Sequence, residues 1–209
     1  MGRPYISEID KIPETYSWAI QVKSPELIRA IKLASFRPLL AVGSGGSLSA
    51  AEFLVNWHQD FASALGKSVT PQELISNIPS DGNVSVWFLS ASGRNIDIRR
   101  AFKHSSLLEP KQLVGLVGRT ESPLKQISLS HKYSEFFEYD IPSGKDGFLA
   151  TNSLVAFTVL LCKGYIDAFG SEDSLPSTLE KLTLNSFGTE DYYSKLEESC
   201  RHLWEKKTL

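Results

Sequence analysis

An alternation of strand-like and helical segments in the middle of the chain most restricts its fold. Apolar strand-like runs occur at "PLLAV", "VSVWFL", "QLVGLV" and "YSEFFEY", and "GKSVTPQEL" offers a further short strand. Helical patterns fill the intervals and begin near Ser47, Asn95 and Ser122. Strands separated by helices form βαβ units, with a parallel sheet and helices on both of its faces. The order of elements therefore predicts an α/β fold with three layers.

The chain also shows a division along its length. Its 209 residues suffice for one domain of ordinary size with a helical appendage. We predict an N-terminal helical arm over 1–23, where Pro13 interrupts a helical pattern, and the α/β domain over 24–170. Beyond Gly170 two helical patterns occur without a strand-like run, which predicts a helical extension or connector over 171–209.

Composition and charge narrow the class of function. The formal net charge is −2 and no basic run exceeds two residues, so we expect neither a nucleic acid nor a membrane as partner. No uninterrupted apolar run is long enough to cross a bilayer, and the start lacks the apolar core of a signal peptide, which predicts a cytoplasmic protein. Cys162 and Cys200 have no CxxC spacing, and we expect no metal and no cofactor.

Small residues follow two of the strand-like runs. "GSGGS" (43–47) follows "LLAV" and "SASGRN" (90–95) follows "VWFL", and each leads directly into a helix. Ligands of open parallel sheets bind beyond the carboxyl ends of the strands, and helix N-termini attract anions. The hydroxyls of Ser90 and Ser92 and the amide of Asn95 suit a phosphate. Each loop alone is equally well explained as a turn with a helix cap, so the two together carry the prediction.

Two other phosphate-binding patterns fit less well. A P-loop requires GxxxxGK[ST], and the sequence does not contain it. A dinucleotide-binding fingerprint requires GxGxxG, of which Gly43 and Gly45 match the first two positions while Leu48 occupies the third. A nucleotide-binding Rossmann-like domain therefore stays as a further alternative.

Three segments together resemble the sugar isomerase (SIS) domain family. "GSGGSLSAAEF" resembles the GxGxS loop of that family, and "LSASGRNIDIRRAF" resembles its SxSGxTxD loop. "GFLATNSLVAFTVLL" resembles a third segment, in which a Thr-Lys pair precedes a long apolar helix. The three occur in family order within about 24–169. The resemblance implies a flavodoxin-like, three-layer fold with about five parallel strands that binds a phosphorylated sugar.

The resemblance also implies roles for individual residues. The residues expected to hold the phosphate lie in the second loop: Ser90, Ala91, Ser92 and Asn95. The residues expected to contact the sugar lie in the first loop and before the apolar helix: Gly45, Gly46, Ser47 and Thr151. Ala91 contributes only a backbone N–H. Asn95 stands where the family has Thr, and Asn152 stands where it has Lys.

The family's catalytic Glu has no counterpart in the stretch "SGKDGF". Aldose–ketose isomerisation requires a group that moves a proton between adjacent carbons. Asp146 or the neighbouring Lys145 is the candidate for that role, and the other interpretation of Asp146 is a turn residue between glycines. The resemblance thus implies a divergent phosphosugar enzyme or a part of one, and alternatively a non-catalytic module that senses its ligand.

The pairing of SIS domains, as tandem copies or as dimers, adds an expectation about partners. The chain contains one copy of the signature loops. The resemblance therefore implies a homodimer, or a second SIS domain in a longer protein of which this chain is a piece. A phosphosugar or a similar phosphorylated small molecule is the expected ligand.

Overall fold

The structure is a computed structural model that describes residues 5–77, 82–147, 149–171, 174–182 and 201. The chain divides into two compact units, Met1–Ser174 and Leu175–Leu209. In the second unit a short helical segment occupies 179–182. The helical patterns predicted for 171–209 otherwise lie outside the described residues.

The first unit alternates helices and strands in the predicted order. Its described helices are α1 (Tyr5–Ile9), α2 (Ile12–Gln21), α3 (Pro25–Ala34), α4 (Gly46–Ala62), α5 (Pro71–Asn77), α6 (Ile96–Leu107), α7 (Pro123–Ser128) and α8 (Asn152–Phe169). Its described strands are β1 (Leu39–Val42), β2 (Gly66–Val69), β3 (Ser85–Ser90), β4 (Gln112–Val117) and β5 (Ser134–Glu138). The predicted α/β class is confirmed.

The five strands form one parallel sheet in the order β2-β1-β3-β4-β5. In the register of the sheet, Leu39 of β1 lies opposite Gly66 of β2 and Ser85 of β3, and Ser85 lies opposite Gln112 of β4. Every residue of β3 and β4 is buried, which explains why these strands are continuous apolar runs. The short strand offered by "GKSVTPQEL" is the edge strand β2. The prediction of about five parallel strands is confirmed.

Alternate side chains of the strands enter two separate cores, which gives the fold three layers. On one face of the sheet, Trp87 and Leu89 of β3 pack with buried residues of α3, α4 and α8. On the other face, Val86 and Phe88 pack with buried residues of α5, α6 and α7. The predicted three-layer arrangement is confirmed.

The long helix α8 is central to the first of these cores. By length and composition it is the one described helix that could span a membrane. However, 61% of its 18 residues are buried inside the fold. The helix is not an uninterrupted apolar run, because it includes Lys163 and Asp167, whose charged groups lie 3.6 Å apart. Its burial among α2, α3 and α4 identifies α8 as a core helix.

The N-terminal arm packs on α8. Tyr16 and Ala19 of α2 are buried, and Pro13 stands in the first turn of α2, where a proline is tolerated. The hydroxyl of Thr15 donates a hydrogen bond of 2.7 Å to Oδ1 of Asn152, at the start of α8. The arm therefore belongs to the first unit and reaches the N-terminus of its central helix.

Candidate functional site

A cleft of about 200 Å³ lies at the carboxyl edge of the sheet. Ala91 and Ser92, which follow β3, form one side, and Gly118 and Arg119, which follow β4, lie next to them. The opposite wall comes from residues between β5 and α8, named here the cleft loop: Ile141, Gly144, Lys145, Asp146, Gly147, Leu149 and Ala150. Open parallel sheets bind their ligands at this edge, so the cleft is the candidate site.

Hydroxyl groups organise the loop after β3. Ser90 is buried, and its Oγ accepts a hydrogen bond of 3.1 Å from the N–H of Gly93. Ser92 lines the cleft, and its Oγ accepts a bond of 3.4 Å from the N–H of Arg94. In both bonds the hydroxyl oxygen is the acceptor. The Ser92 hydroxyl therefore keeps its proton for an acceptor in the cleft, such as a phosphate oxygen.

Asn95 caps α6. Its Oδ1 accepts hydrogen bonds from the N–H groups of Asp97 at 2.9 Å and Ile98 at 3.1 Å, as the helix-cap interpretation of the sequence predicts. Of the residues expected to hold the phosphate, Ala91 and Ser92 thus lie in the cleft lining, while Ser90 and Asn95 give the loop its shape.

The glycines of the first loop lie outside the cleft, and one of them adjoins a residue that lines it. A Cβ added to Gly46 would lie 2.1 Å from the Cβ of Ala150, a lining residue. Gly45 has a φ of +58°, a conformation that side chains disfavour. Gly45, Gly46 and Ser47, expected to contact the sugar, lie outside the lining, as does Thr151.

Asp146 lies in the cleft loop and caps α8. Its Oδ1 accepts a bond of 3.1 Å from the N–H of Asn152, and its Oδ2 accepts bonds from the N–H of Ser153, at 3.1 Å, and from its hydroxyl. Thr151 Oγ1 is 3.4 Å from the same carboxylate. A carboxylate that holds several donors is poorly suited to take a proton from carbon. Lys145 is exposed at the rim and has no ion-pair partner among the described residues.

Arg119 is a cleft residue that the sequence analysis missed. It follows β4 in a third polar loop, "GRTES", and its guanidinium lies 3.6 Å from the carboxylate of Asp140. Its side chain is 30% exposed, so it is held by the fold and still accessible to a ligand. Its signal in the sequence is its position directly after the strand-like run "QLVGLV", since ligands bind beyond the carboxyl ends of parallel strands.

Glu8 of α1 was missed as well. It is 3% exposed, and its carboxylate accepts hydrogen bonds from the N–H of Gly147 and, at 3.3 Å, from the hydroxyl of Thr151. An isolated Glu in a short amphipathic helix resembles an ordinary surface residue, so the sequence carries no signal for this contact.

A larger cavity of about 490 Å³ opens at the opposite edge, where β4 and β5 begin. Lys111, His131 and Lys132 line it, and Nε2 of His131 lies 3.0 Å from Oγ of Ser106. None of the residues predicted for the ligand lies there. Because parallel sheets bind ligands at their carboxyl edge, the smaller cleft is the candidate site. Within the described part of the chain, no three His, Cys, Asp or Glu residues are grouped as a metal site would require.

The sequence matches no protein-family model and no curated protein, but it resembles solved structures. Tagatose-6-phosphate ketose/aldose isomerase from Escherichia coli superposes with a TM-score of 0.63 at 13% identity, over 80% of this chain and 50% of that chain. The C-terminal domain of glucosamine-fructose-6-phosphate aminotransferase from Francisella tularensis gives 0.59 at 16% identity, over 76% and 47%. The sugar isomerase domain of the RpiR transcription factor from Sphaerobacter thermophilus gives 0.53 at 16% identity, over 79% and 89%.

The chain therefore spans about half the length of the Escherichia coli and Francisella tularensis chains and most of the Sphaerobacter thermophilus domain. At these identities the likeness concerns the fold. The parallel five-stranded sheet and its flanking helices agree with it. The chain has the fold of the sugar isomerase (SIS) domains.

Proposed function

We propose that the cleft binds a phosphorylated sugar, with the phosphate between Ser92 and Arg119 and the sugar towards the cleft loop. The observation that carries the proposal is that these two residues, from the loops after two adjacent strands, line one cleft. Arginine binds phosphate through paired N–H donors, and a serine hydroxyl adds a further donor. The structural neighbours include an isomerase of tagatose 6-phosphate, which supports this class of ligand.

The charges around the cleft suit a phosphate. Arg119 and Lys145 supply two positive charges, and the carboxylate of Asp146 is occupied by the N-terminus of α8. The ion pair of Arg119 with Asp140 is long, at 3.6 Å, and Asp140 is largely exposed. Such a surface pair is weak, so a phosphate competes readily for the guanidinium.

Two functions follow from such binding. One is a divergent phosphosugar enzyme, or a part of one, and the other is a non-catalytic module that senses the ligand. The capping role of Asp146 favours the sensor because it leaves the cleft without an uncommitted carboxylate among its described lining residues. The likeness to the sugar isomerase domain of a transcription factor supports the sensor as well.

The nucleotide-binding alternative has less support. The strand order 2-1-3-4-5 is that of flavodoxin-like sheets and differs from the order of the dinucleotide-binding fold.

We further propose that the chain acts in the cytoplasm, as a homodimer or beside a second SIS domain. Light scattering on the purified chain tests for the homodimer.

Titration calorimetry against a panel of sugar phosphates and the matching unphosphorylated sugars tests the ligand class. Arg119→Met should weaken phosphosugar binding about tenfold to a hundredfold, since bonds to charged groups contribute roughly 1.5–3 kcal/mol. Ser92→Ala should weaken it less. Arg100→Met removes an exposed charge from α6 and is the matched control, for which we expect unchanged affinity. Equal affinity for phosphorylated and unphosphorylated sugars, or an Arg119→Met variant that binds as the wild type does, would show the proposal to be wrong.

A further inference from the structure

Glu8 joins the N-terminal arm to the cleft loop through its side chain. The carboxylate is buried and accepts hydrogen bonds from the N–H of Gly147, which lines the cleft, and from the hydroxyl of Thr151, which precedes α8. Glu8 and Gly147 are separated by 139 positions in the sequence. The contact is therefore a tertiary one, between an element outside the sheet and the wall of the candidate site.

The backbone of the arm reinforces this contact. The carbonyl oxygen of Glu8 accepts a bond of 2.9 Å from Nδ2 of Asn152, whose Oδ1 accepts the bond from Thr15. Nζ of Lys11 lies 3.4 Å from the carbonyl oxygen of Ser143, near the start of the cleft loop. The arm thus contacts Ser143 near the start of the loop, Gly147 within it, and Asn152 just beyond its end.

A buried carboxylate costs free energy unless polar partners compensate for the water it has lost. No ion pair of Glu8 occurs among the described residues, so hydrogen bonds from the cleft loop and from Thr151 provide the compensation. An apolar residue would serve if the arm only had to cover α8. A carboxylate aimed at a backbone N–H of the loop is instead suited to fix that backbone in one position.

We infer that Glu8 is a positioning residue for the cleft: its buried carboxylate fixes the backbone of the cleft loop, so that ligand affinity depends on the N-terminal arm. The loop needs such a restraint because Gly144 and Gly147 lie on either side of Lys145 and Asp146. Glycine has more backbone freedom than any other residue. The effect on affinity rests on the proposed function, whereas the effect on the loop does not.

Hydrogen exchange of the full chain without ligand tests the restraint. In Glu8→Ala, the backbone N–H of Gly147 and its neighbours in the cleft loop should exchange at least about tenfold faster than in the wild type, while the strands keep their protection. Glu8→Gln should restore most of it, because its amide oxygen can accept from Gly147 while its NH₂ donates to the hydroxyl of Thr151. Glu14→Ala changes an exposed residue of the same arm and should leave the exchange of the loop unchanged.

The affinity for a phosphosugar, measured on the same variants well below their unfolding temperatures, tests the consequence. We expect Glu8→Ala to bind about tenfold more weakly, with the affinity recovered in Glu8→Gln. Faster exchange throughout the unit with unchanged affinity would mean a purely structural role and would overturn the inference. So would loss of affinity in Glu8→Gln equal to that in Glu8→Ala. If Glu8→Ala does not fold, Glu8→Asp, which withdraws the carboxylate by one methylene, takes its place with the same expected direction.

The two proposals fail in different ways. A wild-type chain that binds no sugar phosphate contradicts the proposed function. The exchange of the Gly147 N–H still decides whether Glu8 restrains the loop. Conversely, tight phosphosugar binding by every Glu8 variant contradicts the positioning role and leaves the proposed function intact.

Discussion

At the scale of single residues, packing within the chain accounts for the glycines of the first loop. A Cβ on Gly43 would lie 2.2 Å from the carbonyl oxygen of Ser47, so the turn closes only with glycine. Gly45 supplies a positive φ, and Gly46 allows α4 to approach Ala150. The alternative of a simple turn thus explains much of "GSGGS", and Gly46 adjoins the cleft loop at Ala150.

The contact between Gly46 and Ala150 gives the first prediction. Gly46→Ala should lower the free energy of unfolding by roughly 1–3 kcal/mol because the new methyl group overlaps that of Ala150. Combining it with Ala150→Gly should recover part of the loss, since the second change removes the overlapping atom. Urea denaturation of both single variants and the double variant measures the coupling. Additive losses would contradict the predicted contact.

His58 gives a second residue-scale prediction, on pH. The imidazole is completely buried, with Nε2 3.1 Å from the carbonyl oxygen of Arg37 and Nδ1 3.0 Å from the hydroxyl of Tyr165. A carbonyl oxygen only accepts, so Nε2 donates and Nδ1 accepts from Tyr165 in the neutral ring. Burial lowers the pKa of His58. In the unfolded chain the pKa of this imidazole is about 6.5. The unfolded chain therefore binds a proton at His58 more readily than the folded chain does.

The contribution of the neutral, buried imidazole to the free energy of unfolding is fully present above about pH 6.5. It is lost as the pH falls towards the lowered pKa of the folded state, by at most about 1.4 kcal/mol per pH unit. Urea denaturation between about pH 7.5 and about pH 5 measures it. His58→Gln should be less stable at neutral pH and should lose less stability on acidification. An identical pH dependence in wild type and His58→Gln would contradict the prediction.

At the scale of elements, the sequence predicts those strands and helix caps that local interactions determine. The apolar runs of β3 and β4 and the helix caps Asn95 and Ser122 depend on neighbours within a few positions. The start of α8 differs, because its capping group is Asp146, six residues before the N–H of Asn152. No short cap pattern identifies such a residue. Contacts across the chain, such as that of Glu8 with Gly147, leave still less trace in the sequence.

The capping role of Asp146 gives the element-scale prediction. Asp146→Ala should lower the free energy of unfolding by about 1–2 kcal/mol, because the N–H groups of Asn152 and Ser153 lose their acceptors. Asp140→Ala, which removes an exposed acidic residue from the same connection, should cost less than about 1 kcal/mol. Urea denaturation near neutral pH compares the two. Equal stability of Asp146→Ala and the wild type would show that Asp146 does not stabilise the start of α8. Asp146 would then again be a candidate base.

At the scale of the whole molecule, topology assembles the candidate site. The order β2-β1-β3-β4-β5 makes β3 and β4 neighbours, so the loops that follow them meet at one edge. The sequence predicts that edge, because the position of a ligand in a parallel sheet follows from strand direction. Of the opposite wall, the resemblance to the SIS family indicates only Lys145 and Asp146, without the contacts that hold them in place. The cleft loop contacts Glu8 of the arm, the N-terminus of α8 and, through Ala150, Gly46 of α4. The contacts with the arm and with α4 join distant parts of the sequence.

This division between a predictable edge and a less predictable wall leads to the last prediction, on catalysis. An isomerase must remove a proton from carbon, whereas the described wall offers only a capping carboxylate and the exposed Lys145. We therefore expect the chain to bind a hexose or pentose phosphate and yet to catalyse no aldose–ketose exchange. The measurement is deuterium incorporation beside the sugar carbonyl, followed by NMR in heavy water with the bound ligand identified by calorimetry. Incorporation that disappears in Asp146→Asn would contradict the expectation and make Asp146 the base. Incorporation that persists in Asp146→Asn and disappears in Lys145→Met would assign the proton transfer to Lys145 instead.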